Sequence, residues 1–225
     1  SGILVARPAA GSGLGAALKG GHNAEHHNHN DVGSYTVVAG RGILAGDPGS
    51  IPYTADIFTP EHRYTYKSIG SYGHPVPVVA GKQQSAGAQA KARILEEQFA
   101  PERDIFSMDL SACYDVPGLK KLERRFTYER TGKGSLEVLD TFEFAEPQEF
   151  ETAWITRSAL KEVSRGEWLL ESEEEKVLVT LDTFGLPYRV SVEQISEGGQ
   201  PYSRISARIN GPYKAGKVKL TYRIP

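Results

Sequence analysis

His27, His29 and Asp31 stand in an H-x-H-x-D spacing inside GGHNAEHHNHNDVGSY, residues 20–35. Four of the six histidines fall within eight positions here, and none lies beyond His74. Imidazole titrates near neutral pH and binds zinc through a ring nitrogen, so such a cluster can move protons or hold a metal. In an extended chain alternate residues project to one side, which would present both imidazoles and the carboxylate together. An added tag would be an uninterrupted terminal run, whereas this cluster is broken by asparagines and runs into DVGSYTVVAG. A metal needs further ligands. The segments Tyr35–Ala39 and Ile43–Asp47 read as the arms of a hairpin turned by Gly40 and Gly42, so antiparallel pairing returns Asp47 beside His27–Asp31. His74, just ahead of PVPVV, is the remaining candidate. Neither H-E-x-x-H nor a paired C-x-x-C occurs, which excludes a helical zincin and a cysteine zinc knot.

The elements that must position these groups read as strands. QAKARILEEQF, DIFSMDLSACY, LKKLERRFTYER, SLEVLDTFEFAE, EFETAWITR, EWLLESEEEKVLVTLDT, YRVSVEQIS, SRISARIN and GKVKLTYRIP follow one another. Turn signals such as TGKG, EGGQP and NGPYKAG fall between them. In KVKLTYRI, Val218, Leu220, Tyr222 and Ile224 alternate on one face. In SLEVLDTFEF, Leu136, Val138 and Leu139 give way to Phe142 and Phe144, close to period two. AGAQAKARILEEQF contains good helix formers, yet strand is the expectation there because no other helix is in sight to pack with it. HPVPVVAGK suits an edge strand, given Pro75 and Pro77. GSGLGA, residues 11–16, fits a loose dinucleotide-loop spacing, but without a following helix it reads as a flexible loop. The expectation is one all-β domain over 1–225, a large antiparallel β-sandwich of stacked sheets.

Composition narrows the function classes. A formal net charge of −2 gives no general attraction to nucleic acid or anionic membrane. The apolar runs, such as Val76–Ala80, are too short to cross a bilayer. Cys113 is the single cysteine, so no intrachain disulfide can brace the fold. SGILVARPAAGSG shows no basic leader followed by an apolar run, and the chain reads as the C-terminal part of a longer protein.

HNHNDVGSYTVVAGRGILAGDPGSIPY, followed by SYGHPVPVVAGKQQ, resembles the C-terminal β-domain of heparinase II/III-like polysaccharide lyases, closely over residues 20 to about 85. The resemblance implies an N-terminal helical toroid upstream, a C-terminal β-sandwich, and a substrate cleft between them. It implies a zinc ion held by His29, Asp47 and His74, with His27 facing an acidic polysaccharide substrate. His74 is followed by Pro75, where the family often has asparagine. The family's catalytic tyrosine belongs to the toroid, so the groups for elimination would be divided between two parts. It also implies a periplasmic or secreted bacterial enzyme.

The chemistry so implied is β-elimination on a uronic acid. The proton α to the carboxylate is weakly acidic, so a base must sit within hydrogen-bond reach and developing charge must be stabilised. In that scheme zinc orients the loop carrying His27 and does not react itself. Arg63 is a candidate clamp for a substrate carboxylate, and Tyr53 for the cleft lining. Trp154 and Trp168 lie in alternating strand sequence and are expected in the core. The acidic ESEEEK, residues 171–176, is expected to be a solvated turn. Two other function classes compete: a non-catalytic carbohydrate-binding or structural sandwich with a stabilising metal, and a self-contained hydrolase whose metal activates water.

Overall fold

The computed structural model describes residues 2–8, 13–52, 54–197 and 199–225. Among these, strands pair antiparallel throughout. One four-stranded sheet has the order β1 (Ile3–Ala6), β2 (Leu14–Lys19), β4 (Tyr35–Ala39), β5 (Gly42–Ala45). The short strands β3 (His22–Asn23) and β7 (Gly87–Lys91) pair with each other. A second four-stranded sheet runs β16 (Tyr188–Ile195), β17 (Tyr202–Ile209), β12 (Phe150–Thr156), β6 (Val78–Val79). The largest sheet begins with β13 (Ala159–Ser164), β14 (Glu167–Glu171), β15 (Lys176–Asp182) and β18 (Tyr213–Arg223). It continues through β11 (Ser135–Gln148), β10 (Leu119–Glu129), β9 (Arg103–Asp109) and β8 (Arg93–Phe99). Among the described residues, helical structure is limited to three 3-10 turns and one α-turn, α1 (Pro60–Arg63). No helix among the described residues is long and apolar enough to cross a membrane.

The two four-stranded sheets adjoin at β5 and β12. Gly46 N donates to Ile155 O over 2.9 Å, and the Thr156 hydroxyl donates to Leu44 O over 2.6 Å. Together they face the eight-stranded sheet across one continuous core. Tyr35 meets Phe126 and Tyr222 edge-on, Phe150 stacks on Phe142 at 4.3 Å, and the fully buried Trp154 touches Trp168 at 5.0 Å. Both tryptophans are core residues, as expected. Two inner faces interdigitating in this way make an antiparallel β-sandwich.

Local sequence explains the layers. On β18, Val218, Leu220 and Tyr222 point inward at strict period two. On β11 the strict period corrects the slipped reading of Leu139: Leu136, Val138, Asp140, Phe142 and Phe144 are buried, while Leu139 lies on the other face. A carboxylate therefore occupies a core position, which a search for apolar residues passes over. GSGLGA is not a loop throughout, since Leu14–Ala16 already belong to β2, whose inward Leu14, Ala16 and Leu18 are buried. The segment with good helix formers is strand, in β7 and β8, because β8 finds a partner in β9. The short α1 turn was not foreseen; Pro60 opens it and supplies the fixed φ that suits a first helical turn. Glu173, Glu174 and Lys176 are exposed at the β14–β15 turn, as expected of ESEEEK.

Candidate metal centre

His29, Asp47 and His74 converge: each offers a ligand atom, and these atoms lie within 4.8 Å of one another. The rings of His29 and His74 are 5.1 Å apart, and Asp47 Oδ2 is 3.5 Å from His74 Nδ1. His74 is fully buried, yet its Nδ1 has no hydrogen-bond partner. Its other ring nitrogen lies 3.2 Å from Ser68 O, an acceptor only. This contact assigns the proton to Nε2 and leaves the Nδ1 lone pair aimed at the group. A buried polar atom without a partner is costly and calls for an explanation. A cation held between a buried imidazole lone pair, a second imidazole and a carboxylate supplies one, and this donor set suits zinc. The His29 pKa is lowered from 6.5 to about 4, first by burial and then by the neighbouring His74, with Asp47 and Asp31 opposing. A ring held neutral at pH 7 is the metal-binding form.

Two glycines set the approach of two of these ligands. Gly46 precedes Asp47 at φ 147°, and a Cβ there would meet Thr36 Cα at 2.8 Å. Gly73 precedes His74, and a Cβ there would collide with the Lys67 carbonyl and the Tyr202 hydroxyl. Asp47 Oδ1 is fixed by the Gly49 amide at 2.6 Å, leaving Oδ2 for the group.

The histidine segment does not use the extended geometry that its spacing suggests. Residues 24–33 form successive turns, and His27 has φ 56°, a left-handed conformation. Alternate residues consequently part company. His29 joins the metal group. Asp31 turns inward, contacting Lys19 Nζ and accepting from Ser34 Oγ at 3.1 Å. The exposed His27 lies outside the group and meets the Phe58 ring edge-on at 5.8 Å.

Arg63 reaches back to this segment. Its Nη2 donates to Asn28 O over 2.6 Å and its Nη1 to Ile57 O over 3.2 Å, so part of its fork braces the loop. Tyr64 adds a bond to Asn28 Oδ1 at 3.1 Å. Tyr53 lies outside the described residues.

Sequence reasoning missed the residues that hold the loops. Gln84 is buried and pairs with Val32 like a strand neighbour, accepting from its N–H at 3.0 Å and donating to its carbonyl at 2.7 Å. Asn23 donates to Gln84 Oε1 at 3.0 Å and accepts from Asp31 N at 3.2 Å. Arg124 is fully buried and forms a two-pronged pair with Asp140, both bonds 2.7 Å. Its Nη1 donates to Gly33 O at 2.8 Å and Pro75 O at 2.6 Å, which ties the His29 loop and the His74 loop to the large sheet. The sequence signals were an arginine between Leu122 and Phe126 on the core-facing side of β10 and an acid at a core-facing position of β11.

No family model and no curated protein sequence matches the chain. Solved structures do match. A heparinase III with methylated lysines superposes with a TM-score of 0.75 at 14% identity, over 99% of this chain and 34% of that one. Heparan sulfate lyase HepC from Pedobacter heparinus gives 0.72 at 11% identity, over 95% of this chain and 34% of that one. The chain thus spans about a third of the length of the lyases it matches. At such identity the likeness speaks for the fold, and the fold is that of a heparinase-like β-sandwich.

Proposed function

We propose that this chain is the zinc-binding β-sandwich of a polysaccharide lyase that cleaves uronate-containing acidic glycans by β-elimination. The observation that supports it most is the unpartnered, buried Nδ1 of His74 facing His29 and Asp47 within a heparinase-like fold. When bound, a zinc ion would cross-link the His29 loop to the loops of Asp47 and His74 and neutralise the carboxylate.

Within that reading 1–225 is one domain, and a helical toroid lies upstream in the full-length protein, which works in the bacterial periplasm or outside the cell. Elimination removes the proton from the carbon bearing the uronate carboxylate. The glycosidic oxygen leaves from the adjacent carbon, giving an unsaturated sugar. His27 is exposed at the rim of the metal loop and is the residue we place in the proton transfer. A group that transfers a proton must reach substrate, which a metal ligand such as His29 cannot do. The Nε and remaining Nη protons of Arg63 face the carboxylate in this scheme, and Tyr53 lines the cleft.

The reading is tested by elemental analysis of protein purified without a nickel column. One zinc per chain is expected, lost in His29→Ala/His74→Ala and retained in His27→Ala. Metal loss in the His27 variant would reverse the roles of the two histidines, and a wild-type chain free of metal would end the proposal.

A further inference from the structure

The sheet of β16, β17, β12 and β6 carries a second polar site. Its outer face holds a pocket of about 540 Å³, and none of His29, Asp47 and His74 lines it. The register explains the hollow. Ser191, Ser206 and Ala153 stand opposite one another across three strands, a row of small side chains. The adjacent row is Arg189, Arg208 and Glu151. On the other side stand Glu193, Arg204 and Ile155.

The charges of this pocket are unbalanced. Glu151 is shared by Arg204 at 2.6 Å and Arg208 at 3.4 Å. Glu193 is engaged by Lys67 and by the Tyr72 hydroxyl. Glu149 reaches only the rim, 4.0 Å from Arg208. Arg204, itself buried, lies 3.9 Å from the Tyr72 ring centroid and is fixed by a bond to Tyr72 O. Arg189 makes no ion pair among the described residues, although it sits directly opposite Arg208. Two like charges facing each other across a strand pair are destabilising. An oxyanion between them would remove that cost, since guanidinium binds carboxylate or sulfate through two parallel bonds. Gln83 lines the same pocket, its Oε1 already bonded to Tyr72 N, which leaves its amide protons for a further acceptor.

We propose that this pocket binds the anionic group of an acidic sugar, a carboxylate or a sulfate ester, held between Arg189 and Arg208. The choice of a sugar rests on the lyase reading above, and the pocket would give the same glycan a second hold away from the metal group.

Calorimetric titration of the 225-residue chain tests it. The probes are a heparan sulfate tetrasaccharide, an alginate tetrasaccharide and inorganic sulfate. The first two separate sulfate from carboxylate recognition, and the third separates a sugar from a free anion. Arg189→Ser/Arg208→Ser should weaken oligosaccharide binding about tenfold or more, the scale of losing a two-pronged charged contact. Both side chains are at least partly exposed, so the variant should keep the wild-type melting temperature to within a few degrees. Lys120→Ser/Lys214→Ser, an equal loss of charge elsewhere, should leave binding intact. Equal weakening by the lysine pair would reduce the effect to general attraction and overturn the proposal. So would binding of inorganic sulfate alone, or no oligosaccharide binding at all. A chain that binds here but supports no elimination in its full-length protein would end the lyase reading and leave this one standing.

Discussion

Burial and the His74 ring hold the His29 imidazole near 4 instead of 6.5, and this has a consequence for the metal-free protein. A histidine with a depressed folded pKa takes its proton first in the unfolded chain. Between pH 6.5 and about 4 the unfolded state binds more protons at this ring, so the His29 contribution to stability falls as pH drops through that window and levels off below it. Urea unfolding of the chelator-treated chain should show the midpoint declining across this range, with His29→Gln flattening the decline. Identical pH profiles for both proteins would mean that the fold does not hold this ring neutral. Of the residues in this centre, spacing and the β4–β5 hairpin offered His27, His29, Asp31, Asp47 and His74 as candidates, and only the family resemblance narrowed them to the His29, Asp47 and His74 that converge here. Asp31 was misread as a co-presented ligand. Its alternation with His29 holds only in an extended chain, and the left-handed His27 breaks that geometry.

At the scale of strands and loops, Arg124 on β10 and Asp140 on β11 join the large sheet to both histidine loops. Arg124→Ala would leave a buried carboxylate and the Gly33 and Pro75 carbonyls without their donor. Removing one partner of a buried pair costs about 3–5 kcal/mol. The apolar replacement Arg124→Met/Asp140→Leu should recover most of that stability, since well-packed hydrophobic residues often substitute for a buried pair. Its zinc affinity should stay lower by about tenfold or more, because groups that orient ligands have effects of that size. Denaturation midpoints and competition titration with a zinc chelator separate the two contributions. Wild-type affinity in the double variant would confine Arg124 to stability. Strand periodicity made most of the elements readable: β18 and the β4–β5 hairpin lie where alternation and turn glycines put them. What it could not show is long-range pairing. In LKKLERRF, Leu122 and Phe126 flank Arg124 at period two and put it on the core face, with Arg125 outside beside Glu96. Nothing local shows that Asp140 and the Gly33 and Pro75 carbonyls meet it there. The same blindness applies to Gln84 and Val32, 52 positions apart in the chain.

The whole molecule places its core and its candidate chemistry apart. One core cluster runs through all three large sheets, from Leu18 and Val37 through Phe126 and Val138 to Trp154 and Ile205. With no disulfide available, that burial is what holds the chain together. The candidate metal group and His27 lie instead on the loops before β4, after β5 and before β6. The chain spans about a third of the lyases it resembles in fold, and elimination needs a positioned base together with a stabiliser of the developing charge. Taken alone, the 225 residues should therefore unfold cooperatively in heat or urea yet release no unsaturated uronate from heparan sulfate, chondroitin or alginate. Near-ultraviolet circular dichroism would report the packed Trp154–Trp168 pair, and absorbance of the unsaturated product would report turnover. An absorbance rise above blank that disappears in His27→Ala would place a complete active site within this sandwich. The proposed division of labour with an upstream toroid would then fail, while the metal group and the fold would stand.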